Sequence, residues 1–193
     1  PIEAVRCALP MGIHGCGFES PLDAMKRALE RATMPGEDGF GFMRPDANLV
    51  VVFVTDEVDC STQHPGIFET DGNRVFWSDP EAAFPSSAVC FNAGTFCMGD
   101  PLDCQPADYR IDGTVAVTFE ESVLYSLTQY SGQLHGIESM MNKRVMVVEI
   151  AGLQKGGTPT YSKNNPQWLL DFGVDPGCDE GTGAAAPPVR LHA

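Results

Sequence analysis

Residues 49–60, read LVVVFVTDEVDC, constrain the fold of this chain more than any other stretch. A continuous run of β-branched and aromatic residues ends at three acids, Asp56, Glu57 and Asp59. An uninterrupted apolar run is typical of a strand covered on both faces, as in the central parallel strands of α/β domains. Ligands bind at the carboxyl ends of strands in such sheets. The sequence therefore predicts a functional site where the acids follow the strand.

Two amphipathic helices and a second apolar strand accompany this strand. The first helix is predicted to begin at Ser20, with the Ser20 hydroxyl as cap and Pro21 in the first turn. A capping box starting at Thr118 predicts the second helix, which is expected to end at Gly136. Residues 145–150 form the second strand. The apolar faces predicted to be buried consist of Leu22, Met25, Leu29 and Ala32 in the first helix, and of Val123, Leu127, Tyr130 and Leu134 in the second.

Strands that alternate with helices predict an α/β domain: a doubly wound, mainly parallel sheet with flanking helices. We interpret residues 1–193 as one such domain, incomplete at both ends. Residues 61–113 are rich in Pro, Gly, Asp and Ser and are predicted to form a loop-rich insertion, with short strands at 75–77 and 89–91. Residues 153–193 are predicted to form an irregular tail that leads, at 184–192, into a truncated helix.

Seven cysteines predict disulfides and an oxidising compartment, either extracellular or at the cell surface. Zinc is disfavoured because no two cysteines form a CxxC pair. Two of them are close enough to close a short loop, and four would hold the insertion in one of three pairings that the sequence leaves open. His14, between the first two, is interpreted as a linker residue rather than part of a Cys–His pair. The disulfide candidates are Cys7, Cys16, Cys60, Cys90, Cys97, Cys104 and Cys178.

Charge and hydropathy narrow the range of partners. The net charge is −14, which argues against nucleic acid because phosphate binding requires clustered Lys and Arg. Such acidity is compatible with divalent cations or with an exposed extracellular surface. No apolar stretch approaches the roughly 20 residues that span a bilayer. We therefore expect no nucleic-acid partner and no membrane-spanning segment in this chain.

Four segments carry a family resemblance: CGFESPLDAMKRAL, FMRPDANLVVVFVTDEVDCS, KRVMVVEIAGL and PPVRLHA. Together they resemble the second half of a von Willebrand factor type A-like domain. The combination of CGFE with TDEVDCS is most similar to secreted or lipid-anchored bacterial surface proteins of the myxobacterial type. The resemblance implies a doubly wound sheet with a metal-ion-dependent adhesion site at its carboxyl edge.

The resemblance also implies which residues would hold the metal. Asp56 corresponds to the last of the three ligand loops of the family, and Ser20 or Glu19 to the middle one. The first loop, DxSxS, is absent from this sequence. Mg²⁺ and Ca²⁺ prefer hard oxygen ligands of these kinds, and an open coordination position can take a carboxylate from a protein partner. The alternative is that Asp56 and Glu57 only cap the turn after the strand.

Three functions follow as hypotheses. The first is a non-enzymatic extracellular binding or adhesion module whose partner is a protein ligand or another segment of the same precursor. The second is a structural subunit or processed segment of a larger cell-surface assembly. The third is a hydrolase with Asp56, Glu57 or Asp59 as its acid–base pair. The third is disfavoured because the sequence contains no G-x-S-x-G, HExxH or P-loop pattern.

Overall fold

Four helices and six short strands alternate along residues 17–193, the part of the chain that the computed structural model describes. The mixed α/β class predicted from the sequence is confirmed. In chain order the elements are α1 (Pro21–Thr33), β1 (Leu49–Val54), a 3₁₀ helix (Pro65–Phe68), α2 (Ala88–Gly94), β2 (Thr95–Met98), β3 (Asp103–Pro106), α3 (Leu127–Met141), β4 (Val145–Ile150), α4 (Pro166–Phe172), β5 (Cys178–Asp179) and β6 (Ala184–Ala185).

The two predicted apolar strands pair in parallel over their full length, from Leu49 opposite Val145 to Val54 opposite Ile150. Helices α1 and α3 pack against one face of this small sheet. All four residues of the predicted apolar face of α1 are buried there, because a stripe at helical spacing meets the aliphatic strand surface. The buried core on this side consists of Leu22, Met25, Leu29, Ala32, Met43, Leu49, Phe53, Tyr130 and Ile137.

The second face of this sheet is open within residues 17–193. Val50, Val52 and Val54 are 48%, 52% and 68% exposed. The prediction that β1 is covered on both faces is therefore wrong for this part of the chain. The parallel sheet has two strands here, and the remaining strands of the described region form two separate antiparallel pairs, β2 with β3 and β5 with β6. The doubly wound arrangement remains a prediction.

The first backbone N–H groups of α1 donate to residues that are distant in sequence, not to the residue that precedes the helix. The side chain of Ser20 makes no capping hydrogen bond, contrary to the prediction. Instead, the backbone N–H of Leu22 donates to the Asp59 carboxylate (3.3 Å) and that of Asp23 donates to the Ser61 hydroxyl (2.9 Å). These acceptors satisfy amide groups that the first helical turn leaves unpaired. The chain after β1 is thereby fixed to α1.

Helix α3 begins and ends later than predicted. The predicted capping box at Thr118 does not begin a helix, and its residues lie in turns; Glu121 pairs with Arg110 and accepts a hydrogen bond from the Val117 N–H (3.1 Å). The helix starts after Ser126 instead. Gly136 lies inside it, and Asn142 ends it in the left-handed conformation with φ of 50°. Of the predicted face, Val123 and Tyr130 are buried, although Val123 precedes the helix, and Leu127 and Leu134 are half-buried.

Two disulfides hold the insertion, in one of the three pairings that the sequence left open: Cys60–Cys90 and Cys97–Cys104. Such bonds are typical of proteins in oxidising compartments. Cys178 has no disulfide partner within residues 17–193, and Cys7 and Cys16, like His14, lie outside that range.

The short strands predicted in the insertion do not form. Residues 89–91 belong to α2, and residues 75–77 lie in a turn. Helix α2 is almost completely buried, so packing on all sides overrides the β propensity of its Val and Phe residues.

The tail does not end in the predicted helix. Ala184–Ala185 pair antiparallel with Cys178–Asp179, and the Ala186 N–H donates to the Asp56 carbonyl (2.8 Å). The following Pro187 and Pro188 lack backbone N–H donors, which opposes a helix beyond its first turn. The tail therefore runs across the end of β1, and Arg190 is buried in the interior. No helix of the described region is long and apolar enough to cross a membrane.

Candidate functional site

The predicted site residues meet at the carboxyl end of β1. The Thr55 hydroxyl donates to the Glu19 carboxylate, and the Cys60 N–H donates to the Glu19 carbonyl (2.6 Å). Asp56 follows Thr55 directly and is exposed. Ser20 precedes α1 and accepts the Ala24 N–H (2.9 Å) through its carbonyl. Glu19 is thus brought to the strand end, with Ser20 next to it in the chain.

Glu57, at the end of β1, has a shifted pKa. Burial raises its pKa above the ordinary value, and the nearby carboxylates of Glu19 and Asp56 raise it further, whereas a hydrogen bond from Ser87 lowers it. The Ser87 hydroxyl donates to the Glu57 carboxylate at 2.8 Å. The strand end therefore gathers three like charges without a compensating cation among these contacts.

The residues present do not amount to a Mg²⁺ or Ca²⁺ site by themselves. Within residues 17–193, no group of three or more His, Cys, Asp or Glu side chains is arranged to hold a metal ion. Ca²⁺ takes six to eight oxygen ligands and Mg²⁺ six in near-ideal geometry. Here the Glu19 carboxylate is bonded to Thr55, and the sequence lacks the DxSxS loop. The ligand set implied by the resemblance is incomplete in the described part of the chain.

The third acid of the strand end, Asp59, has a structural role. Its side chain is fully buried and pairs with Arg190, which is 3% exposed, at 3.1 Å. Asp59 also accepts the Ser61 hydroxyl (2.6 Å), and Arg190 donates to the Tyr125 carbonyl (2.6 Å). Sequence reasoning missed this pair because its members lie 131 residues apart. The one signal was that both belong to the segments that carry the family resemblance.

A cavity of about 500 Å³ lies between the covered face of the sheet, helices α1 and α3, and the last residues of the chain. This volume is within the range of small-molecule pockets. Its wall is mainly apolar, and Val147 remains 46% exposed because its side chain faces this space. The apolar part of the lining consists of Leu22, Met25, Phe53, Leu127, Leu134, Val147 and Leu191.

Three polar side chains belong to the lining, Tyr130, Arg190 and Glu149, and one polar atom of each is inaccessible to a water molecule. The other carboxylate oxygen of Glu149 contacts His192 Nδ1. Burial raises the pKa of the Tyr130 phenol, whereas a hydrogen bond with Ser61 lowers it; the charge of Asp59 raises it and that of Arg190 lowers it. The predicted placement of Tyr130 in the core is confirmed.

The opposite face of the sheet is a continuous aliphatic surface, which we call the open face. Its six side chains are 43–68% exposed, and the register aligns them in three cross-strand pairs. Parallel strands are almost always buried on both faces, so an uncovered aliphatic face is unusual. The open face consists of Val50, Val52, Val54, Met146, Val148 and Ile150.

The chain matches no protein-family model, no curated protein and no solved structure. Inference about its function therefore depends on the geometry of its own residues.

Proposed function

We propose that this chain is a non-enzymatic, extracellular binding module that recognises a protein ligand through the open face. The observation that carries the proposal is that all six side chains of this face are aliphatic and exposed. Contiguous exposed apolar surface on a folded protein marks interaction sites.

An amphipathic helix is the occupant that fits the open face best. Two strands spaced about 4.8 Å apart form a strip of roughly 10 Å, which matches the diameter of a helix with its side chains. Six residues of strand extend for about 20 Å, the length of roughly 13 helical residues. The net charge of −14 favours a partner helix whose polar face carries Lys and Arg.

A synthetic peptide tests this proposal. We expect a 14-residue peptide, with leucines on one helical face and lysines on the other, to bind the full chain saturably and to gain helical circular dichroism. A peptide of the same composition in scrambled order is the control. The double substitution Val52→Lys and Val148→Lys alters one cross-strand pair of the open face and should abolish binding. The matched double substitution to Thr keeps β-branched side chains without adding charge.

Two results would contradict the proposal. If the scrambled peptide bound equally well, or if the Lys variant still bound the peptide, binding would be non-specific and would not depend on the open face. A dimer in sedimentation experiments that the Lys variant converts to monomer would assign the open face to a second copy of the chain. A partner that never dissociates from native material would favour the alternative function, a structural subunit of a larger surface assembly.

The extracellular part of the proposal is supported by the two disulfides. Mass spectrometry of native material after thiol labelling should find Cys60, Cys90, Cys97 and Cys104 unlabelled. Complete labelling of these four would contradict an oxidising compartment.

Metal dependence is a separable part of the proposal. It would place Mg²⁺ or Ca²⁺ at Asp56 with Ser20 or Glu19, and it requires further donors that residues 17–193 do not supply. Calorimetric titration of the full chain with each cation, with Asp56→Ala as control, tests it. A heat of binding that the substitution removes would support the metal, and identical traces would remove it.

A further inference from the structure

A second pocket, of about 350 Å³, lies at the amino end of the sheet, at the opposite end of β1 from the acidic residues. Its wall is formed by the turn before β1, the first residues of β1, and Lys143 between α3 and β4. The apolar part of the wall consists of Phe42, Met43, Ala47, Leu49 and Val50. Lys143 and Arg44 also belong to the wall, and among residues 17–193 no Asp or Glu does. The pocket is therefore cationic, in a chain whose net charge is −14.

Lys143 carries a buried charge without a counter-ion. It is 7% exposed, and its ammonium group donates to the backbone carbonyls of Arg44 and Ala47, the second at 2.7 Å. Both acceptors belong to residues of the pocket wall, and an ammonium group has a third donor to offer. Lys143 makes no ion pair with any carboxylate of residues 17–193. Burial of a charge is costly unless an opposite charge accompanies it, so an anion in this pocket would be stabilised.

Arg44 is a second cation of the wall that no acid neutralises. It is exposed and makes no ion pair in the described part of the chain, although Asp46 is only two residues away. Glu138, the only acid of α3, accepts the Val145 N–H (3.2 Å) and pairs with neither cation. The chain contains 26 acids and only 12 Lys and Arg, so a shortage of acids does not explain why both cations are unpaired.

We propose that this pocket binds a small organic anion, a carboxylate carried by an aromatic body. The carboxylate takes the third donor of Lys143 and the planar fork of Arg44, whose geometry matches two carboxylate oxygens. The aromatic body lies against the apolar wall, where the ring of Phe42 is 72% exposed and offers an uncovered aromatic surface. A volume of about 350 Å³ is within the range of small-molecule pockets. The proposal does not depend on the function proposed for the open face.

Five probes separate the contributions of the charge and of the aromatic body. Calorimetric titration of the full chain uses 3-phenylpropionate, 3-phenylpropanol, 3-phenylpropylamine, propionate and phenyl phosphate. We expect 3-phenylpropionate to bind most tightly. The alcohol lacks the charge and propionate lacks the ring, so each should bind about tenfold more weakly, and the amine should bind weakest because both cations repel it. Phenyl phosphate should bind more weakly than 3-phenylpropionate, because its additional oxygen and charge find no further donor.

Two exposed residues of the wall provide variants with different effects. Arg44→Gln should keep the fold and weaken 3-phenylpropionate about tenfold, but not 3-phenylpropanol. Phe42→Ala should weaken both of these probes, but not propionate. Arg144→Gln is the matched control, because Arg144 is an exposed cation next to Lys143 in sequence and does not belong to the wall. Lys143→Gln should also weaken 3-phenylpropionate, and circular dichroism checks its fold because Lys143 holds the turn before β1. If that variant does not fold, Arg44→Gln decides.

Three results would overturn the proposal. One is the absence of saturable heat with 3-phenylpropionate while the wild type is folded by circular dichroism. Another is an affinity that Arg44→Gln does not change, or that Arg144→Gln lowers equally, since binding would then not depend on the pocket. The third is equal or tighter binding of 3-phenylpropanol or phenyl phosphate, which would exclude recognition of a carboxylate. The expected order of probes, together with a selective loss in Arg44→Gln, would establish the site.

Discussion

The two faces of the sheet formed by β1 and β4 have similar composition and opposite surroundings. The covered face packs beneath α1 and α3, with Leu49 and Phe53 buried, whereas every side chain of the open face is exposed. Sheets with one solvated face usually carry polar residues on that face. Here the only acid of the two strands, Glu149, lies on the covered side and lines the cavity.

This contrast indicates what each face is suited to contact. An all-aliphatic open face is not adapted to water, and a carboxylate within the covered face is not adapted to close packing. The difference continues into the loop after β1, where Asp56 is exposed and Asp59 is buried against Arg190. Variants of neighbouring residues can therefore separate the two environments.

The largest difference in stability is expected between substitutions of two neighbouring residues on opposite faces of the sheet. Phe53→Ala should lower the free energy of unfolding by about 3–5 kcal/mol, because it leaves a cavity in the core. Val52→Thr should change it by no more than about 0.5 kcal/mol. Urea unfolding of both variants, followed by circular dichroism, measures the difference. Equal destabilisation would mean that the open face is covered in solution.

The two aspartates provide the second comparison. Asp59→Asn should lower the free energy of unfolding by roughly 2–4 kcal/mol, because it leaves the Arg190 charge buried without its counter-ion. Asp56→Asn should leave stability nearly unchanged, since its carboxylate is exposed. Both variants are measured by urea unfolding at pH 7. If Asp59→Asn were as stable as wild type, the buried ion pair would not hold the tail in place.

The smallest effect on stability is expected for Glu57, which lies in the chain between the exposed Asp56 and the buried Asp59. Its pKa is raised in the folded state, so the folded protein holds this proton more tightly than the unfolded chain does. Stability should therefore fall as pH rises from the ordinary value of 4.5 through the raised pKa. Glu57→Gln should remove this fall, so the variant gains stability relative to wild type between pH 4 and pH 7.

Thermal unfolding across this pH range measures the effect. Glu69→Gln, which alters an exposed acid elsewhere, is the matched control. Parallel pH profiles for wild type and Glu57→Gln would contradict the shift.

The sequence predicted those features that depend on local pattern. The apolar stripe of α1 has helical spacing, so it identified the buried residues correctly. The two aliphatic runs identified β1 and β4, and their parallel pairing followed from the helices between them. The cysteine content predicted disulfides, but the choice of pairing required the positions of the four sulfur atoms.

Predictions failed where a distant residue competed for a local group. No helix begins at the capping box predicted at Thr118, where Glu121 pairs with Arg110, and α1 is capped by Asp59 and Ser61 rather than by Ser20. In each case the local pattern offered a sound hydrogen bond, and the folded chain provided another partner. Local sequence patterns carry no information about such distant competing partners.

The amino-acid sequence by itself determined the elements of the sheet, the buried face of its first helix and the presence of oxidised cysteines, because spacing and composition encode these directly. Only the tertiary structure decided which face of the sheet is covered and which acid of the strand end is buried. Burial depends on what packs against a residue. The ion pair of Asp59 with Arg190 forms only when segments 131 residues apart are folded together.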